Sequence, residues 1–206
     1  MKELRNVILL AAACAICVPA AIAQSNPTAA TTTTPKYTIN QRKNNQQQRI
    51  GNGVENGSLT SGETSHVERQ ETHLNAEEHT MRADDNGHLT AADRTRLNAQ
   101  QNHLSSEIYR DKHNARTQNL NPHSEVGQRQ RLQQERIGQG IKSGQMTARE
   151  ASHTEARETG VNHEIARDRA ANGGRLTAGE RAQVNRQQNR NSRAIYNKKH
   201  NGRVRG

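Results

Sequence analysis

Two Glu-x-x-His pairs, Glu63–His66 and Glu150–His153, are the residues here whose types and spacing first suggest chemistry. On a helix, positions three apart share a face. Paired signals of this kind, with two further glutamates, build di-iron sites in four-helix bundles. Both glutamates, however, stand three residues after a threonine, where an acid closes a helix-start capping box. No inward glutamate on another helix is preserved in both copies at a convincing position. The pairs are therefore weak metal candidates, and neither a metal site nor a cofactor is expected. Adventitious or regulatory Zn or Cu binding by the ten histidines is the metal chemistry that remains. A second cluster, Ala83 to Asp93, has the outline of a calcium loop, with Asp84, Asn86, Gly87 and Asp93 at its third, fifth, sixth and twelfth positions. Its first position carries Arg82, and the second copy has Arg169, Ala171 and Gly173 where oxygen ligands belong. Calcium takes roughly six to eight oxygens, so a capped turn is expected instead. There is no Gly-rich phosphate loop, nucleophile elbow or distinct triad, and the expectation is a protein that is not an enzyme.

Basic residues make the strongest chemical signal. From Arg181 to the end the chain has eight Lys or Arg and no acid, within a net charge of +10. Arg186, Arg190 and Arg193 follow i, i+4, i+7 and share one helical face, which Lys198, Lys199, Arg203 and Arg205 are expected to extend. Such a block implies an anionic partner: unfolded or acidic proteins, or anionic envelope polymers. The only aromatics are Tyr37, Tyr109 and Tyr196, too few for the stacking that single-stranded nucleic acid requires.

The elements that hold these residues come from a duplication. Residues 49–114 align without a gap on residues 136–201, and about 31 of the 66 pairs are identical. Each half carries two copies of Gly-x-[Leu/Met]-Thr-x-x-[Glu/Asp]: Gly57–Glu63, Gly87–Asp93, Gly144–Glu150 and Gly174–Glu180. In each the glycine reads as a left-handed helix end, and the pairs Thr60/Glu63, Thr90/Asp93, Thr147/Glu150 and Thr177/Glu180 read as capping boxes that start the next helix. Val67, Leu74 and Met81, and Leu97, Leu104 and Ile108, form narrow apolar stripes suited to helix-on-helix seams. The second half keeps Val184 and Ile195 but has Asn191 in place of Leu104.

The predicted fold is all-α: tandem helix-turn-helix repeats, in two homologous halves of two units each, built as thin helical hairpins. Leu, Ile, Val and Met are too sparse for a conventional core, so completion by homo-oligomerisation is the other route expected. The expected boundaries are a signal peptide at 1–23, cleaved after Ala23, and a disordered leader at 24–40. A first half at 41–119, a linker at 120–128, a second half at 129–201 and a basic tail at 202–206 follow. Both cysteines lie in the signal, so the mature chain has no thiol chemistry. A periplasmic or secreted protein with no membrane anchor after cleavage is expected.

Leu89-Thr90-Ala91-Ala92-Asp93-Arg94-Thr95-Arg96-Leu97 and Leu176-Thr177-Ala178-Gly179-Glu180-Arg181-Ala182-Gln183-Val184 resemble the helix-start box of the LTxxQ-motif periplasmic family, the small stress chaperones of the Spy and CpxP type. An acid stands where that family has Gln, and either residue completes a capping box. The resemblance implies an ATP-independent envelope-stress chaperone that holds clients in a helical cradle. The residues themselves leave two other readings: a structural or adhesive protein binding anionic envelope polymers, and a metal-responsive binder.

Overall fold

The computed structural model describes residues 37–118 and 120–205; the signal (1–23) and nearly all of the expected leader lie outside the described residues. The described chain forms six helices: α1 (Ile39–Asn56), α2 (Ser61–Asp84), α3 (Ala91–His113), α4 (Glu125–Ser143), α5 (Ala148–Ala171) and α6 (Ala178–Lys199). No strand occurs among the described residues, and none of their helices is long and apolar enough to cross a membrane.

Thr60, Thr90, Thr147 and Thr177 are the N-caps of α2, α3, α5 and α6, each in a two-way capping box with the acid three residues on. Two further helix starts correct the expected boundaries. Thr38 caps α1 in a box completed by Gln41, so helix begins at Ile39, inside the expected leader. Ser124 caps α4 by accepting from the Gly127 amide, so the expected 120–128 linker gives way to helix at Glu125. Gly57 and Gly144, both at φ 74, end α1 and α4 in the left-handed conformation. Gly87 and Gly174 are also left-handed but stand beyond the caps Asp85 and Asn172, because an extra turn intervenes there.

A chain this poor in apolar residues packs by burying amides. Its apolar side chains form one central cluster drawn from both halves, around Ile50, Leu59, Ile108, Ile137, Met146 and Ile195, and two small flanking clusters. Between them, glutamines tie helix to helix through main-chain carbonyls. Gln46 Nε2 donates to Gln101 O (2.8 Å) and Gln101 Nε2 to Ile39 O (3.0 Å); Gln133 donates to Gln188 O (2.8 Å) and Gln188 to Val126 O (3.0 Å). Each amide nitrogen thereby becomes a directional tie, while the Oε1 atoms of Gln46, Gln101, Gln133 and Gln188 are buried without a partner among the described residues.

The expected thin hairpins are corrected by contacts across the halves: α1 lies against α4, and α2 against α5. Ser65 Oγ donates to Ser152 O and Ser152 Oγ to Ser65 O, each at 3.1 Å. A Cβ added to Gly51 would lie 2.8 Å from Gly138 O, and one on Gly138 would lie 2.8 Å from Gly51 O; only glycine lets these backbones approach so closely. Lys142 Nζ pairs with Glu55 Oε2 at 2.5 Å. The reason for the correction is that the helices cover one another's seams within a single chain.

The expected basic tail is also corrected. Arg205 N donates to Gly144 O at 3.1 Å, just as Gln118 N donates to Gly57 O at 2.9 Å. The chain after α3 and after α6 thus closes over an open carbonyl at a helix end, a group that needs a donor.

Candidate functional site

The Glu-x-x-His residues are brought to helix starts, not to a shared centre. Glu63 accepts from Thr60 N and Oγ1, and its other oxygen accepts from Asn114 Nδ2 at 2.8 Å. Glu150 is held in the same way by Thr147 and by Asn201 Nδ2 at 2.6 Å. His66 turns to Glu107, 3.0 Å away, and His153 is exposed. Among the described residues no group of three or more His, Cys, Asp or Glu side chains could hold a metal ion. In the calcium-like turn, the Arg82 guanidinium occupies the first-ligand position and donates to Gly87 O at 3.3 Å and to Glu78 Oε1 at 2.8 Å.

The arginines of α6 make a coherent surface. At 100° per residue, Arg186, Arg190 and Arg193 fall opposite the buried Val184, Gln188, Asn191 and Ile195. All three are exposed, and none forms an ion pair or hydrogen bond among the described residues. The equivalent outer face of α3 carries exposed Ala99, His103 and Ser106 instead. The expected extension of this patch is corrected in three places. Lys198 and Lys199 sit half-buried on the inward side of α6, and burial holds both ammonium groups below their usual range. Arg205 turns away to the α4–α5 turn, where its guanidinium donates to Ile141 O at 3.0 Å. Arg203 alone stays exposed beyond the helix.

A buried acidic seam was not anticipated from the sequence. Glu68 and Glu71 of α2 and Glu155 and Glu158 of α5 are at most 1% exposed. Gln47 donates to Glu68 at 3.2 Å, Gln134 to Glu155 at 3.1 Å and Asn191 to Glu158 at 3.1 Å; both oxygens of Glu71 lack a partner among the described residues. Burial pushes Glu68 and Glu155 up to about 8, and Glu71 and Glu158 up to about 7. These side chains are therefore largely neutral acids below neutral pH. The signal was present as Glu-x-x-Glu at the same place in both copies. Among helix-forming polar residues, nothing marks such a pair as buried.

Compared with known proteins, the chain matches no family model, no curated protein and no solved structure.

Proposed function

We propose that this chain is a non-enzymatic, tandemly duplicated helical protein of the cell envelope or exterior, and that it binds anionic envelope polymers through the outer face of α6. The observation that carries the reading is the difference between two equivalent helices. α3 and α6 share a capping box, a buried face and a docked C-terminal segment, yet only α6 presents three exposed arginines with no protein partner. Those charges contribute nothing visible to folding, and an array of unpaired cations on a rigid helix suits a polyanion. Placement outside the cytoplasm rests on the charged start, apolar run and Ala-Ile-Ala site within residues 1–23.

A chaperone of the kind the Leu-Thr boxes resemble would draw on the same cationic face. It would also need apolar surface for its clients. Among the described residues the large apolar side chains left exposed are Tyr37, Tyr109, Leu132, Tyr196 and Val204, spread over several elements, so polymer binding is the better supported use.

The test is direct binding to a linear polyuronate and to a neutral dextran of similar length, at about 50 and 200 mM salt. The expected result is saturable binding to the polyuronate alone, weakened at the higher salt as counterion release requires. Equal binding to both polymers, or none to the polyuronate at low salt, would contradict it.

A further inference from the structure

Away from the α6 face, a cleft of about 530 Å3 opens between α1, α2, the start of α5 and the C-terminal segment. Its charged lining is Lys43, Glu78, His79, Arg82, Arg149 and Arg205. Glu78 is the one carboxylate, and it is already engaged by Lys43 at 3.1 Å and Arg82 at 2.8 Å. Arg149 is exposed and has no partner among the described residues. The Arg205 guanidinium donates one bond, to Ile141 O, and otherwise faces the buried Glu68 and Glu71 only through their fields. The lining therefore carries surplus positive charge.

The backbone adds an unmet donor. At the start of α2, Ser61 N donates to Gln118 Oε1 at 3.1 Å. At the equivalent start of α5 the acceptor is gone, because the residue in the place of Gln118 is Arg205, whose side chain only donates. Ala148 N, at a residue 4% exposed, donates to no acceptor among the described residues. A helix start with a free amide beside two arginines calls for an anion.

The equivalent groove in the other half shows that folding does not require these charges. There Lys43, Glu78, His79, Arg149 and Arg205 are replaced by Gln130, Ile165, Ala166, Gly62 and Gln118. Arg82 keeps an arginine counterpart, Arg169, but Gln130 bonds Asn162 and Gln118 accepts from the first amide of α2, so the same scaffold closes without the charges of Lys43, Arg149 and Arg205.

We propose that this cleft is a binding site for a small, multiply charged organic anion, a polycarboxylate or a phosphate monoester. Arg149, Arg205 and the Ala148 amide hold its oxyanion groups, and Lys43 and Arg82 supply the surrounding positive field. The volume falls within the ordinary range of small-ligand sites and leaves room for an organic body beyond the charged groups.

The test uses the full mature chain, titrated with citrate, with inorganic phosphate and with vesicles of anionic lipid, followed by calorimetry and backbone amide shifts. Citrate is expected to bind saturably and to shift Lys43, Arg82, Ala148, Arg149 and Arg205, with phosphate shifting the same amides more weakly. R205Q, which installs the residue of the other half, and R149Q should each raise the citrate Kd at least fivefold. The α6 triple substitution R186A/R190H/R193S should leave it unchanged, which separates this site from the polymer-binding face. Citrate without effect on these amides, wild-type Kd in the variant that folds, equal shifts around Gln118 and Gln130, or binding to vesicles alone would each overturn the proposal.

Discussion

Glu68, Glu71, Glu155 and Glu158 set the pH response of the fold. A carboxyl whose folded pKa lies above its unfolded value of 4.5 keeps its proton longer in the folded state. Stability then falls as pH rises between those two values for each group that still holds a proton. Glu78 and Glu150 act in the opposite sense. Burial opposes their ionisation, but hydrogen bonds from Arg82 and Lys43, and from Thr147 and Asn201, outweigh it and lower both pKa values. The stability they contribute is lost below pH 4.5. Thermal melts should therefore show a maximum near pH 5 and a steady fall toward pH 8, and E68Q/E155Q should flatten the alkaline side. A Tm that rises from pH 5 to 8 would show that these acids are ionised in the folded protein. The Glu55–Lys142 pair makes a second prediction. These two residues occupy equivalent positions facing each other across the halves, so identical residues there would repel. E55K should destabilise by on the order of 1 kcal/mol, and K142E added to it should recover most of the loss in a double-mutant cycle by urea unfolding.

The helices themselves are where the sequence was most legible. Four starts follow from a threonine and an acid three residues apart, because a capping box is a local device that needs no tertiary contact. Replacing Thr90 by Ala removes that device at an exposed helix start and should cost about 1 kcal/mol in urea unfolding. The starts of α1 and α4 were less legible, since Gln41 completes one box and Ser124 works without an acid. Burial was the least legible. Gln101 and Gln188 lie in the core because facing carbonyls accept from them, and a glutamine on a polar helix gives no sign of such a partner. The same limit hid the inward turn of Lys198 and Lys199 and the docking of Arg205, so a run of basic residues looked like one patch when it is divided among three places. The docked segments make a testable claim of their own. Removing residues 202–206 should speed amide exchange at the α4–α5 turn and the first turn of α5, while the α1–α2 turn, closed by Gln118, keeps its protection.

At the scale of the whole molecule, one half serves as the partner that the other lacks. The glycine contact of α1 with α4 and the serine exchange of α2 with α5 give a chain of low apolar content a surface shared between its halves. With the scaffold held in common, differences between the halves become informative about function. Ala99, His103 and Ser106 on α3 show that this outer face folds without arginines at those three places, and Arg186, Arg190 and Arg193 show what α6 carries there. The most direct measurement is therefore polyuronate binding by R186A/R190H/R193S, in which α6 receives the three residues of α3. The account predicts an unchanged circular dichroism spectrum and Tm, affinity at least tenfold lower at about 50 mM salt, and a shallower salt dependence because fewer counterions are released. Wild-type affinity and salt dependence in that folded variant would contradict it.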